Sequence, residues 1–225
     1  RNCFRNGKQI KQWKDDWARM IAIIDYDAGN MKSVEKALQY LGEETITTRN
    51  REEILQADGV ILPGVGSFKD AMEKLESYHL VEVIRECAER KLPFLGICLG
   101  LQLLFESSEE SPGVEGLHLL DGKVVKIPAT EDIKVPQIGW NSLTFPHKGR
   151  LFEGVEENAY VYFVHSYYLQ AADSEIVTAQ TEYGVKIDAS VEKGNIFACQ
   201  FHPEKSSEVG LQILRNFVKI SREGK

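Results

Sequence analysis

Short apolar runs alternate with stretches of helical spacing along the first half of the chain. The β-type runs are IAIID (residues 21–25), ETITT (44–48), DGVILPG (58–64) and PFLGI (93–97), and helical spacing covers residues 31–41, 68–74 and 80–90. Alternation of strand and helix is typical of a parallel sheet with helices on both faces. The first half therefore predicts an α/β fold.

Beyond about residue 116 the pattern changes to mostly β-type segments. They are KVVKI (123–127), YVYFVHSYYL (160–169), EIVTAQ (175–180), KIDASV (186–191) and NIFACQF (195–201), followed by a helix predicted over residues 207–221. No low-complexity run, linker or repeat divides this sequence. We therefore predict one mixed α/β domain over residues 20–225, in which the β-rich second half extends a mostly parallel sheet.

The composition indicates a globular protein with one buried core, because 43% of the 225 residues are hydrophobic and 27% are charged. A formal net charge of −7 argues against a nucleic-acid-binding protein, and the apolar runs are shorter than the roughly 20 residues of a membrane span. The cysteines at positions 3, 87, 98 and 199 form no CxxC pair. We therefore expect no metal site, no disulfide framework and a reducing, cytoplasmic setting.

Residues 1–19 differ in charge from the rest of the chain. They carry six Lys or Arg against two Asp, a net charge of +4, which leaves −11 for the remainder. They lack the apolar region of a secretory signal, and Met20 immediately precedes the first predicted strand. We interpret them as a vector-derived or upstream leader. The alternative is an amphipathic helix with Ile10, Trp13 and Trp17 on one face.

Three unusual loops follow predicted strands, and parallel sheets place their chemistry at the carboxyl ends of the strands. The loops are DAGN (27–30), PGVGSF (63–68) and GICLG (96–100). A strand that turns sharply into a helix at a small-X-nucleophile-X-small sequence projects the nucleophile into a cleft. GICLG fits this elbow with Cys98 in the nucleophile position, and a helix beginning near Leu101 would favour the thiolate. The alternative is a buried structural cysteine.

A base for this cysteine is predicted in QFHPE, at the end of the apolar run NIFACQF. His202 and Glu204 lie two residues apart in extended chain and can face the same side. A carboxylate in this position orients the imidazole and stabilises its protonated form. An isolated HxE triplet is more often a surface coincidence. Its position at a strand end favours a catalytic role.

The loop PGVGSF is glycine-rich, but it does not match a dinucleotide-binding fingerprint because Lys69 occupies the position of the third glycine. A plain turn is the simplest interpretation. Beside an elbow, its backbone N–H groups could instead bind the oxyanion of a tetrahedral intermediate, where one donor lowers the barrier by about 2.7–4 kcal/mol. The three motifs together indicate acyl transfer through a thioester.

Taken jointly and in this order, PGVGSF, GICLGLQ and FHPE resemble the class I glutamine amidotransferases, which release ammonia from glutamine. The segments DYDAGNMKSV, VPQIGWNSL, YVYFVHSYY and FHPEKSS resemble, in particular, the glutaminase subunits of imidazole glycerol phosphate synthases. The resemblance implies a flavodoxin-like α/β fold, no cofactor, and a heterodimer with a cyclase subunit in histidine biosynthesis. Alternatives are a glutaminase subunit of another synthase, such as anthranilate synthase, and a non-catalytic scaffold.

The resemblance also implies roles for individual residues. Cys98, His202 and Glu204 would form the catalytic triad, and the oxyanion hole would comprise Gly64, Val65 and Gly66, with a peptide reorientation near Val65 as the activating step. Glutamine would be held by Gln102, Glu110, Ser166 and Tyr167, and the synthase partner would be faced by Asn30, Trp140 and Lys205. Trp140 could instead be a simple sheet-face aromatic, and His165 is expected to be structural.

Overall fold

The computed structural model describes residues 20–27 and 29–223, so the leader and its alternative helix lie outside the described residues. The strands are β1 (Met20–Ile24), β2 (Glu44–Thr48), β3 (Gly59–Gly64), β4 (Phe94–Cys98), β5 (Ser107–Ser108), β6 (Gly122–Lys126), β7 (Gln137–Ser142), β8 (Tyr160–His165), β9 (Tyr167–Ala171), β10 (Val177–Glu182), β11 (Lys186–Lys193) and β12 (Ile196–Cys199). The helices are α1 (Met31–Tyr40), α2 (Arg51–Gln56), α3 (Phe68–Ser77), α4 (Leu80–Glu89), α5 (Leu99–Leu103) and α6 (Ser207–Glu223).

The main sheet runs in the order β2-β1-β3-β4-β12-β11-β9-β6-β5, and β10 pairs with β11 beside this path. The half from β2 to β12 is parallel throughout. From β12 onward the pairs β12–β11, β11–β9 and β9–β6 are antiparallel. The prediction of a mostly parallel α/β sheet extended by a β-rich second half is confirmed.

Alternating side chains of the central strands bury two separate apolar layers, one on each face of the sheet. Val60 and Leu62 of β3 pack with Phe68 and Ile84 from α3 and α4. Ile61, between them, belongs to the opposite layer with residues of α1 and α6. Successive strand residues point to opposite faces, so one buried strand supplies both layers. This explains why β3 is apolar along most of its length.

Two predicted elements were wrong in detail. The run YVYFVHSYYL is not one strand, because it breaks at Ser166. Its first part, β8, pairs with β7 in a separate two-stranded ribbon, whereas its second part, β9, joins the main sheet. The run EIVTAQ begins with a 3-10 turn over Ser174–Ile176 before β10 starts. Apolar residues stand on both sides of each break, so apolar content alone does not reveal them.

Candidate active site

The carboxyl ends of β1, β3, β4 and β12 meet at one edge of the sheet, because these four strands are parallel neighbours. Gly64 at the end of β3 is paired with Cys98 at the end of β4, and Cys199 at the end of β12 is paired with Ile97. The loops carrying the three motifs therefore converge, as the sequence predicted. A cavity of about 340 Å³ lies there.

Cys98 occupies a strained turn between β4 and α5, with φ of 56° and ψ of −109°. The glycines on either side are required by close backbone approach. A Cβ on Gly100 would lie 1.9 Å from the carbonyl oxygen of Leu62, and one on Gly96 would lie 2.7 Å from that of Gly100. The helix begins at Leu99 rather than near Leu101. The nucleophile elbow is thus present, and Cys98 lines the cavity.

His202 and Glu204 form a buried pair in the segment that follows β12. His202 Nδ1 lies 2.8 Å from Glu204 Oε1, and both side chains are almost completely removed from solvent. The backbone N–H of His202 donates to the carbonyl of Tyr162, which attaches the segment to β8. Nε2 of His202 and Oε2 of Glu204 have no hydrogen-bond partner among the described residues. The ring nitrogen needed for proton transfer is therefore available.

The electrostatic surroundings of His202 favour its protonated form. Burial opposes protonation, but the neighbouring Cys98 and Glu204 outweigh it and raise the pKa of His202 to about 9. The imidazolium is then held between a sulfur and a carboxylate. His202 is therefore protonated at neutral pH and places its positive charge beside the Cys98 sulfur, an arrangement that favours a cysteine nucleophile.

The loop of Gly64, Val65 and Gly66 forms one wall of the site, and its two ends are tied down. Val65 and Gly66 line the cavity with Cys98. Before the loop, the buried hydroxyl of Tyr26 donates to the carbonyl of Pro63 at 2.7 Å. After it, the backbone N–H of Phe68 donates to Glu110 Oε2 at 2.7 Å. Burial, with the adjacent Cys98, raises the pKa of Tyr26, so its hydroxyl stays a neutral donor.

The four residues expected to hold glutamine all line the same cavity: Gln102, Glu110, Ser166 and Tyr167. Gln102 Nε2 donates to the carbonyl of Tyr167 at 3.1 Å and to Gln200 Oε1 at 3.0 Å. These bonds fix the side chain of Gln102 against the cavity wall. The cavity thus combines carboxamide and carboxylate groups, which complement the amide and ammonium groups of an amino acid.

Sequence reasoning missed two residues that contact this machinery, Tyr26 and Gln200. Gln200 is fully buried, and its Nε2 lies 3.7 Å from Cys98 Sγ. The signal was a polar side chain near the end of the apolar run NIFACQF, two residues before His202. Tyr26 gave no comparable signal, because a tyrosine after a strand is common in loops and cores.

Among the three expected interface residues, Asn30 contacts the triad. Its Nδ2 donates to Glu204 Oε1 and lies 3.5 Å from His202 Nδ1. Trp140 is half-exposed on β7, and Lys205 is exposed in the 3-10 turn Pro203–Lys205. An interface role for these residues stays a prediction.

His165 has the surroundings expected of a structural histidine. Its Nδ1 lies 2.8 Å from the Tyr167 carbonyl and its Nε2 lies 2.9 Å from Gln137 Oε1. Burial lowers the pKa of His165 to about 4, so it is neutral at physiological pH. Within residues 20–27 and 29–223, no three His, Cys, Asp or Glu side chains are grouped to hold a metal ion, and no helix could cross a membrane.

Residues 22–220 match the family described as glutamine amidotransferase class-I. The chain belongs to this family. It is similar to the imidazole glycerol phosphate synthase subunit HisH of Moorella thermoacetica, with 54% identity over 91% of this chain and 96% of that protein. The subunit of the same name from Bacillus cereus is 52% identical over 88% of this chain and 93% of its own length.

Two solved structures share the fold at low identity. A putative component of GMP synthase from Thermoplasma acidophilum has a TM-score of 0.68 and 22% identity, covering 92% of this chain and 95% of its own. PurLQS from Thermotoga maritima has a TM-score of 0.69 and 20% identity, covering 90% and 99%. These two structures support the fold of a class I amidotransferase alone.

Proposed function

We propose that this chain is the glutaminase subunit of an imidazole glycerol phosphate synthase in histidine biosynthesis. The observation that carries the proposal is the 54% identity to a HisH subunit along nearly the full length of that relative. The site adds independent support, because Cys98 and His202 line one cavity together with Gln102, and Glu204 holds the imidazole of His202 at 2.8 Å. The reaction converts glutamine to glutamate and ammonia.

In the first half of the reaction, the Cys98 thiolate attacks the side-chain amide carbon of glutamine. A bond forms between sulfur and carbon, and the electron pair of the carbonyl moves to its oxygen. Backbone N–H groups of residues 64–66 bind this oxyanion once the loop presents them. His202 then gives its proton to the nitrogen, the carbon–nitrogen bond breaks, and ammonia leaves a thioester on Cys98.

In the second half, water replaces ammonia beside His202. The neutral imidazole accepts a proton from this water as its oxygen attacks the thioester carbon. The second tetrahedral intermediate expels the Cys98 thiolate and releases glutamate, which restores the thiolate and imidazolium. Glu204 holds the ring through Nδ1 in both halves and stabilises its positive charge.

A partner subunit would dock on the β7–β8 ribbon. Ile138, Trp140 and Tyr160 are 63%, 50% and 57% exposed, large fractions for side chains of this size. The pairings Ile138↔Val164 and Trp140↔Tyr162 put these residues on one face of the ribbon. Val164 also lines the active-site cavity, so the face is continuous with the site of ammonia release.

Because the exposed face adjoins the cavity, a partner docked on it can take up ammonia before it reaches water. Ammonia released into water becomes ammonium, which is a poor nucleophile. A cyclase subunit seated on the exposed ribbon would receive ammonia from the cavity in its neutral form. It would combine ammonia with a phosphoribulosyl ribonucleotide, giving imidazole glycerol phosphate and an aminoimidazole carboxamide ribonucleotide. We propose that Asn30, Trp140 and Lys205 face this partner, and that the complex is cytoplasmic.

The test mixes the purified chain with a purified cyclase subunit, its nucleotide substrate and glutamine. The proposal predicts a heterodimer, and one glutamate released for each imidazole glycerol phosphate formed. Glutamate release that ignores the cyclase subunit would keep the glutaminase chemistry and reject the synthase. The anthranilate synthase partner serves as the matched control, with no stimulation expected.

A further inference from the structure

The buried side chain of Gln200 lies between the nucleophile and the substrate subsite. It follows β12 directly, and its backbone N–H donates to the carbonyl of Ala189 on β11 at 2.8 Å, so the backbone is held by the sheet. Its carboxamide has two polar neighbours, Gln102 and Cys98. A fully buried carboxamide needs such partners, because an unpaired one costs about 1–3 kcal/mol.

The neighbours of Gln200 determine which way its amide points. Gln102 must present its NH₂ group to the carbonyl of Tyr167, since a carbonyl oxygen only accepts hydrogen bonds. The same NH₂ group donates to Gln200, so the carboxamide oxygen of Gln200 must face Gln102. The NH₂ group of Gln200 is then directed at Cys98 Sγ, 3.7 Å away. If the Gln200 amide were rotated by 180°, its NH₂ group would face the NH₂ group of Gln102, so the rotated amide does not satisfy both contacts.

We propose that Gln200 is a positioning residue that donates a hydrogen bond to the Cys98 thiolate and couples the nucleophile to the substrate subsite through Gln102. The inference rests on the proposed role of Cys98 as nucleophile. An N–H donor on one side of sulfur stabilises the charged form and directs the remaining lone pairs elsewhere. Because Gln102 lines the cavity, a substrate that moves Gln102 also moves this donor.

Other groups also act on the sulfur, and the test must separate them from Gln200. His202, Tyr26 and Cys199 all interact electrostatically with Cys98, and the Val164 carbonyl oxygen lies 3.9 Å from Sγ. His202 is coupled to Glu204 and Asn30. None of these groups hydrogen-bonds the Gln200 side chain, so replacing Gln200 leaves their own contacts in place.

The experiment measures the rate of Cys98 alkylation by iodoacetamide against pH in wild type and in Gln200→Met. Mass spectrometry of the Cys98 peptide distinguishes alkylation of Cys98 from alkylation of Cys3. Cys87 and Cys199 are fully buried. A lost hydrogen bond to a charged group corresponds to roughly tenfold in equilibrium, so the alkylation midpoint should rise by about one pH unit. We expect kcat for glutamine to fall about tenfold as well.

The matched control is Ser190→Ala, which removes another fully buried polar group, one on the strand paired with β12. It should lower stability without moving the midpoint. A folded Gln200→Met variant with an unchanged midpoint overturns the proposal. If that variant does not fold, Gln102→Met decides, because it frees the Gln200 amide and should also raise the midpoint. Full turnover in Cys98→Ala would instead reject the nucleophile, a separate outcome.

Discussion

Asn30 and His202 share one acceptor, the Oε1 atom of Glu204. His202 Nδ1 lies 2.8 Å from this oxygen and Asn30 Nδ2 donates to it, while Oε2 of the same carboxylate has no partner among the described residues. Asn30 lies in the loop between β1 and α1, whereas His202 and Glu204 follow β12 near the other end of the chain. The orientation of His202, the proposed proton shuttle, therefore depends on Asn30, a residue that the sequence assigned only to the partner interface.

Removal of the Asn30 side chain should weaken catalysis more than folding. Asn30 has a left-handed backbone with φ of 76°, so Asn30→Gly deletes the carboxamide without adding strain. The buried carboxylate loses a donor and holds His202 less firmly, and we expect kcat to fall about tenfold. Asn158→Gly is the matched control, since Asn158 is exposed and has φ of 63°. Equal kcat values in the two variants would contradict this role.

The raised pKa of His202 predicts a specific loss of stability in alkali. The folded-state pKa of about 9 exceeds the ordinary value of 6.5, so the contribution is fully present below pH 6.5. This contribution to stability declines as the pH rises above 6.5 and is lost as the pH passes through about 9. Each unit of pKa difference corresponds to about 1.4 kcal/mol, so the total is a few kcal/mol.

The measurement for this prediction is the free energy of unfolding of wild type and His202→Gln between pH 6 and pH 10. The difference between the two proteins should shrink across this window, because the variant cannot titrate at this position. A difference that stays constant, or that grows with pH, would show that His202 is not held in its protonated form.

Adding a side chain at the elbow glycine Gly100 should have a large steric effect. Gly100→Ala places a Cβ 1.9 Å from the Leu62 carbonyl oxygen, and backbone atoms of β3 cannot move aside without breaking the sheet. We expect a cost of at least about 3 kcal/mol in unfolding free energy and loss of activity through displacement of Cys98. Gly113→Ala meets no atom within 4 Å and should cost only about 1–2 kcal/mol for its positive φ. Denaturant unfolding gives the free-energy cost of each variant. Similar costs in Gly100→Ala and Gly113→Ala would show that a Cβ at position 100 causes no special clash.

Trp140 provides the test of the proposed docking face. Trp140→Ala should weaken binding to the cyclase subunit by about 2 kcal/mol, roughly thirtyfold in Kd, because exposed tryptophans are frequent anchors of interfaces. Basal glutamine hydrolysis should change little. Tyr40→Ala is the control, since Tyr40 is 77% exposed at the far end of α1. Calorimetric titration measures Kd for the cyclase subunit. If both variants bound this subunit like wild type, the β7–β8 ribbon would be rejected as the docking site.

The sequence predicted the fold well where local pattern and tertiary structure agree. The buried strands β1, β3 and β4 and the helices α1, α3 and α4 follow from apolar runs and helical spacing. It failed at Ser166, where one apolar run supplies two strands to different sheets. It also missed β7, whose apolar residues Ile138 and Trp140 are exposed rather than buried, and α2, which is only six residues long but is capped by Asn50.

The proposed triad follows from motifs, whereas its supporting contacts do not. Cys98, His202 and Glu204 sit in segments with distinctive local sequence. Gln200 contacts Cys98 across a separation of 102 positions, and Asn30 contacts Glu204 across 174. Such contacts depend on strand order and register, which are set by the packing of the whole sheet and have no local signature.

The role of Cys98 is tested by glutamate release from glutamine, in the presence of the cyclase partner and its nucleotide, by wild type, Cys98→Ala and Cys199→Ala. Both cysteines are buried and lie in neighbouring strands, so the pair separates chemistry from packing. We expect Cys98→Ala to lose turnover while it keeps its fold and its partner, and Cys199→Ala to retain most of the turnover. Wild-type turnover in Cys98→Ala would show that Cys98 is not the nucleophile.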